Sequence, residues 1–87
     1  MEKYRLVFKK SVSKDLRALP KREVGRILKC IRSLAENPRP QGCEKLSGQD
    51  RYRVRQGVYR IIYEIQDDVL TVVVVKIGHR REVYRSS

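Results

Sequence analysis

Carboxylates are scarce in this chain. Ten Asp and Glu face 21 Lys and Arg over 87 residues, leaving a formal net charge of +11. A small domain with so little acid suits a polyanionic partner, nucleic acid or an acidic protein, met by electrostatically steered association. A merely solvated basic surface is the plain alternative. Cysteine is scarce as well. Cys30 and Cys43 have no His or other Cys close in sequence, which excludes a metal knuckle and points to reduced thiols. No glycine-rich nucleotide loop, Ser-His-Asp set or metal-ligand cluster is visible, so neither a cofactor nor a metal is implied. Long apolar runs are missing too: the N-terminal segment has no apolar export core, and no stretch approaches a membrane span. The expectation is a soluble, unexported, cytoplasmic protein with no membrane partner. No repeat, low-complexity tract or linker interrupts residues 1–87, which read as one domain. Its 40% apolar residues suffice for a core of that size.

What is present is periodic. Tyr4, Leu6 and Phe8 alternate as in a first strand. Val12, Leu16 and Leu19 fall at helical spacing over residues 11–19, with Ser11 or Ser13 near the cap. Pro20 punctuates, and Val24, Ile27, Leu28, Ile31, Leu34 and Ala35 then form a 3.6-residue stripe that predicts a helix from Lys21 to Glu36. The opposite face of that helix (Arg22, Arg26, Lys29, Arg32) is basic, in the manner of a solvated surface. A loop rich in Pro and Gly follows at 37–42. Later, Val69 to Ile77 is nearly unbroken valine, the pattern of a central strand buried on both faces. Gly78 is expected to end that strand. The layout is β-α-α-β-β-β, an α+β fold with two helices packed on one face of a small, mostly antiparallel four-stranded sheet.

The segment 52–63 carries the chemistry. Two β-rich runs meet at Gln56-Gly57, which reads as a two-residue hairpin loop placing Arg53 opposite Arg60. Tyr52, Val54, Tyr59, Ile61, Tyr63 and Ile65 then share a core face, and Arg53, Arg55 and Arg60 share the other, with no carboxylate before Glu64. Like charges placed opposite each other destabilise a strand pair, so the grouping points to an anion, here a nucleic-acid phosphate. With Asp67-Asp68 as the next loop, Val75 falls opposite Arg60. His79 and Arg80 then join the arginines, with Tyr84 close behind. That set supplies a phosphate clamp, a titratable imidazole and an aromatic plate.

Metal-independent RNA cleavage needs those parts: a proton acceptor for the 2′-hydroxyl, charge stabilisation at the phosphate and a donor for the leaving 5′-oxygen. Arginine stabilises charge but cannot accept the proton, because its pKa lies above about 12. His79 is the one side chain here with an ordinary pKa near about 6.5. Each residue also has a plain structural alternative. A histidine after a glycine often serves a turn, Tyr84 can tuck onto the core, and Arg80-Arg81 can be a basic tail.

The Lys45-Leu46-Ser47-Gly48 lead-in, the Tyr52-Arg53-Val54-Arg55…Tyr59-Arg60-Ile61-Ile62-Tyr63 hairpin and the closing Gly78-His79-Arg80-Arg81-Glu82-Val83-Tyr84 resemble the RelE toxins of type II toxin–antitoxin systems. The resemblance spans essentially the whole chain. It implies the RelE/ParE-like, microbial ribonuclease-type fold and a metal-independent, ribosome-dependent endoribonuclease that cuts mRNA in the A site. The implied partners are the ribosome with its RNA, mRNA and a cognate RelB-like antitoxin. By this resemblance Arg53 and Arg55 stand where the family carries a basic pair, often lysines, and Arg60 is a phosphate ligand. Arg80 is a phosphate ligand or general acid, and Tyr84 stacks on a base. Arg81 is grouped with Arg53, Arg60 and Tyr84 in substrate binding. Arginine at position 55 departs from the lysine version, in which that lysine is a proposed base, and leaves His79 as the preferred proton acceptor or shuttle. The alternative is a ParE-like toxin, of the same fold, that binds and poisons DNA gyrase without cutting RNA.

Overall fold

The stripe on residues 21–36 sets the architecture. In the computed structural model, which describes residues 3–46 and 50–79, Lys21–Glu36 form helix α2. Ile27, Ile31, Leu34 and Ala35 are fully buried on one side of it. Each large aliphatic side chain so buried stabilises the fold by about 1.5–3 kcal/mol. Pro20 caps the start with its fixed φ of −58°, and Asn37, extended before Pro38, ends the helix. Helix α1 runs Lys10–Arg17 and buries Val12. Its N-cap is Lys9, with no side-chain capping bond, so Ser11 and Ser13 lie inside the helix and do not cap it.

Both helices cover one face of a sheet ordered β1-β5-β4-β3-β2. The strands are β1 (Arg5–Phe8), β2 (Glu44–Lys45), β3 (Arg51–Gln56), β4 (Tyr59–Gln66) and β5 (Thr71–His79). β1 pairs with β5 in parallel, and the other pairings are antiparallel. The expected class holds, with a fifth strand added: β2 is only two residues long and lies along β3 at the sheet edge. Val54, Ile61, Tyr63, Ile65, Val72, Val74 and Ile77 meet the helices in one core. The Tyr63 hydroxyl, fully buried, donates to the carbonyl of Pro38 at 2.7 Å, tying the loop after α2 to the central sheet.

Two registers differ from the sequence expectation. The β3–β4 loop is Gly57-Val58, with Gly57 at φ +62°, so Arg55 lies opposite Arg60 and Gln56 opposite Tyr59. Gly57 takes the left-handed backbone that a tight hairpin loop requires and that other residues adopt at a cost. This slip moves each partner by two positions, so every side chain keeps its face.

The β4–β5 connection is longer than Asp67-Asp68. Asp67–Val69 form a 3₁₀ turn, Leu70 adopts φ +46°, and β5 begins only at Thr71. Further along, the register shifts between Ile62 and Tyr63: Ile62 pairs with Lys76 and Tyr63 with Val74. Val75 is the extra residue of this bulge, and Gly78, not Val75, lies opposite Arg60. Gly78 also does not end the strand, which continues through His79.

β1 stops beside Val74, and α1 closes the remaining edge of β5. The Lys9 amide donates to the Val74 carbonyl at 3.1 Å. Asp15 accepts the Ile77 amide at 3.2 Å and the Lys76 ammonium at 3.3 Å. An edge that would otherwise present open backbone groups is thereby answered from a helix.

Candidate active site

The face of the sheet turned away from the helices carries a ladder of arginines. Along β3 the alternation puts Arg51, Arg53 and Arg55 on that face, each answered differently across the strands. Arg51 faces Glu64 and is bonded to it, Nε to Oε1, at 3.0 Å. Arg53 faces Ile62 on one side, and on the other its Nη2 is ion-paired with Oε2 of Glu44 from β2. Arg55, exposed, faces Arg60. Along this face carboxylates answer Arg51 and Arg53, while the cross-strand partner of Arg55 is another arginine.

Arg60 is only 5% exposed. A guanidinium cannot shed its proton, so this charge stays positive in surroundings where its attraction for an anion is screened less than at an open surface. Gly78, its partner on β5, contributes no side chain there. The expected grouping of Arg53, Arg55 and Arg60 on one face is present, although Arg60's direct partner is Arg55 rather than Arg53. Glu44 was missing from the expected site, because a two-residue edge strand leaves no alternating pattern to read.

His79 does not join them on that face. The bulge at Val75 inverts the alternation of β5, so His79 pairs with Tyr59 on the helix-bearing side. The two rings meet edge to face at 6.2 Å, with their planes 82° apart. His79 is at the same end of the sheet as the Arg55–Arg60 pair but on the other side of it. Arg80, Arg81 and Tyr84 lie outside the described residues.

A second polar cluster occupies the opposite end of the sheet, around a cleft of about 640 Å³ bordered by Arg39, Asp50, Tyr52, Glu64 and Asp67 among others. Here cations are matched. Asp67 accepts from Arg39 at 2.9 and 3.3 Å and from the Tyr4 hydroxyl at 2.7 Å, and the Arg39 Nε donates to the Tyr52 hydroxyl at 3.2 Å. The Arg39 guanidinium, and secondly the Tyr4 hydroxyl, hold the Asp67 carboxyl below the usual carboxylate range. Burial, first of all, pushes the Tyr63 hydroxyl up. Burial also raises the thiol of Cys30, which like Cys43 is a free cysteine. Among the described residues no three His, Cys, Asp or Glu side chains converge as a metal site. No described helix is long and apolar enough to cross a membrane.

Residues 6–84 match the family model described as ParE toxin of type II toxin–antitoxin system, parDE. The chain is 32% identical to the putative toxin RelE1 of Methanocaldococcus jannaschii, over 97% of this chain and 98% of that protein. It is 30% identical to toxin RelG of Mycobacterium tuberculosis, over 94% and 97% respectively. Its backbone superposes on the archaeal RelE–RelB complex structure from Pyrococcus horikoshii with a TM-score of 0.80 at 33% identity, covering 90% of this chain and 96% of that one.

Proposed function

This chain belongs to the ParE toxin family of type II toxin–antitoxin systems, within the RelE/ParE superfamily, and from that premise we propose that it is a ribosome-dependent mRNA endoribonuclease. The observation that carries this reading is the Arg55–Arg60 pair, two arginines set opposite each other on the sheet face turned away from the helices. Like charges set opposite each other disfavour a strand pair, and a phosphate bound by both favours it.

In the proposed reaction, residues 1–87 act as one toxin domain without metal or cofactor, in the cytoplasm. mRNA in the ribosomal A site lies along the arginine face. Arg53, Arg55 and Arg60 hold the scissile phosphate and stabilise the charge that builds on its oxygens as the 2′-hydroxyl attacks. Arg80 adds a phosphate ligand or acid, Arg81 and Tyr84 bind the substrate strand, and Tyr84 stacks on a base. His79, at that end of the sheet but on its helix-bearing side, shuttles a proton only through a relay of water. A RelB-like antitoxin is the proposed neutralising partner, by analogy with the Pyrococcus horikoshii complex.

The competing reading, gyrase poisoning without cleavage, is favoured by the name of the matched family model. The relatives carry the names RelE1 and RelG, and they favour the nuclease. Induced expression separates the two. The nuclease halts translation with new 5′ ends inside mRNA codons. DNA damage and filamentation with intact mRNA would establish the gyrase reading instead.

A further inference from the structure

We infer that Glu44 is the proton acceptor for the attacking 2′-hydroxyl, an assignment that rests on the nuclease reading above. The cleavage step requires a base on the arginine face, and the described residues there offer few. Arginines cannot accept a proton. His79 stands on the opposite side of the sheet against Tyr59. Glu64 is bonded to Arg51, two pairings away from the Arg55–Arg60 pair.

Glu44 is placed differently. It is the cross-strand partner of Arg53, its carboxylate bonds Arg53 Nη2, and its side chain is 61% exposed while that of Arg53 is only 15% exposed. Arg53 is thus a largely enclosed guanidinium, next to Arg55 on the same face, with a solvent-reachable carboxylate at its rim. In RNA the 2′-oxygen is attached one carbon from the 3′-oxygen that bears the phosphate. A phosphate gripped by Arg53 and Arg55 therefore brings its adjacent 2′-hydroxyl to a carboxylate sharing the same guanidinium. The described group facing Glu44 is a cation, Arg53 from β3, flanked on that strand by Arg51 and Arg55, whereas Lys45 pairs with Tyr52 on the other face. β2 is an edge strand, so no other strand borders its outer side among the described residues.

In the cleavage step, the 2′-hydroxyl proton passes to a Glu44 Oε, and O2′ forms a bond to phosphorus. The bond from phosphorus to O5′ breaks, and O5′ takes a proton from a water molecule. The products are a 2′,3′-cyclic phosphate and a 5′-hydroxyl, and Glu44 returns its proton to solvent.

The test is single-turnover cleavage of mRNA on programmed ribosomes, from about pH 5 to pH 9, by the intact chain and its Glu44→Gln and Glu44→Asp variants. An amide at this position keeps an oxygen for Arg53 but has no basicity, so Glu44→Gln should lose about 10²- to 10⁴-fold in rate together with the acidic limb of the pH profile. Glu44→Asp should recover part of the rate. Binding of a 2′-deoxy-substituted mRNA and the melting temperature should stay unchanged. A wild-type rate and pH profile in Glu44→Gln would overturn the inference, as would parallel losses of binding and rate, which would mark a residue that only positions Arg53. Arg60→Ala tells the two levels apart. If it is inactive while Glu44→Gln is active, the nuclease reading stands and only the base assignment falls. No cleavage by the unmodified chain would remove both.

Discussion

The two ends of the sheet hold the same residue type in different circumstances. Near the β4–β5 turn, Arg51 is bonded to Glu64 and Arg39 to Asp67, which also takes the Tyr4 hydroxyl. Near Gly57, Arg55 is opposite Arg60, and Glu44 is ion-paired one step along the ladder at Arg53. At the first end arginines join four segments of the chain: the loop after α2, β3, β4 and the β4–β5 turn. At the second, the cross-strand partner of an arginine is another arginine. Net charge alone does not separate these roles; the cross-strand partner of each arginine does.

Substitutions sharpen the contrast. The largest effect is expected from Arg60→Ala at the cationic end, and from Arg80→Ala if that residue joins it. Each should slow cleavage at least about a hundredfold, the loss that follows removal of a transition-state charge ligand. Single-turnover rates on programmed ribosomes measure it, and near-wild-type rates in both would dissolve the site. Tyr63→Phe, at the structural end, strands the buried Pro38 carbonyl and should cost about 1–3 kcal/mol of stability in a denaturant titration. Cleavage by the folded variant should be retained, and a loss of cleavage without a loss of stability would contradict the division. Gly57→Ala places a side chain in left-handed backbone with open space around it, so only the backbone term of about 1–2 kcal/mol applies. Equal stability in thermal melts would show that the loop relaxes.

The smallest effect concerns the exposed Asp67 pair, and its sign is fixed by the direction of the shift. A carboxyl held below its usual range stabilises the fold above that range and loses the contribution as pH falls through its folded value. Asp67→Asn should therefore be less stable than the parent chain at neutral pH. The gap should close in acid, below the ordinary carboxylate range. A gap that persists or widens there, in urea titrations across pH, would assign the pair a different role.

Much of this organisation is legible in the sequence, for definite reasons. The α2 stripe fixes its helix because six apolar positions share one face and Pro20 and Pro38 bound it. The hairpin keeps its core face despite the two-position slip, since a shift of two preserves the alternation. The fate of β5 was not legible. Val72, Val73 and Val74 are buried on both faces, so the run has no polar alternation from which a bulge could be read. The bulge at Val75 is what carries His79 to the Tyr59 side. The strand β2 was equally hidden, because two residues form no period, and Glu44 entered the arginine face with it.

The most direct test sets the two ends against each other in one assay. Single-turnover cleavage of mRNA on programmed ribosomes is compared for Arg55→Ala and Arg60→Ala, and for Arg39→Ala and Arg51→Ala, each confirmed folded. The account predicts large losses confined to Arg55→Ala and Arg60→Ala, with near-parental rates for Arg39→Ala and Arg51→Ala. Equal losses at both ends, or none at either, would contradict it.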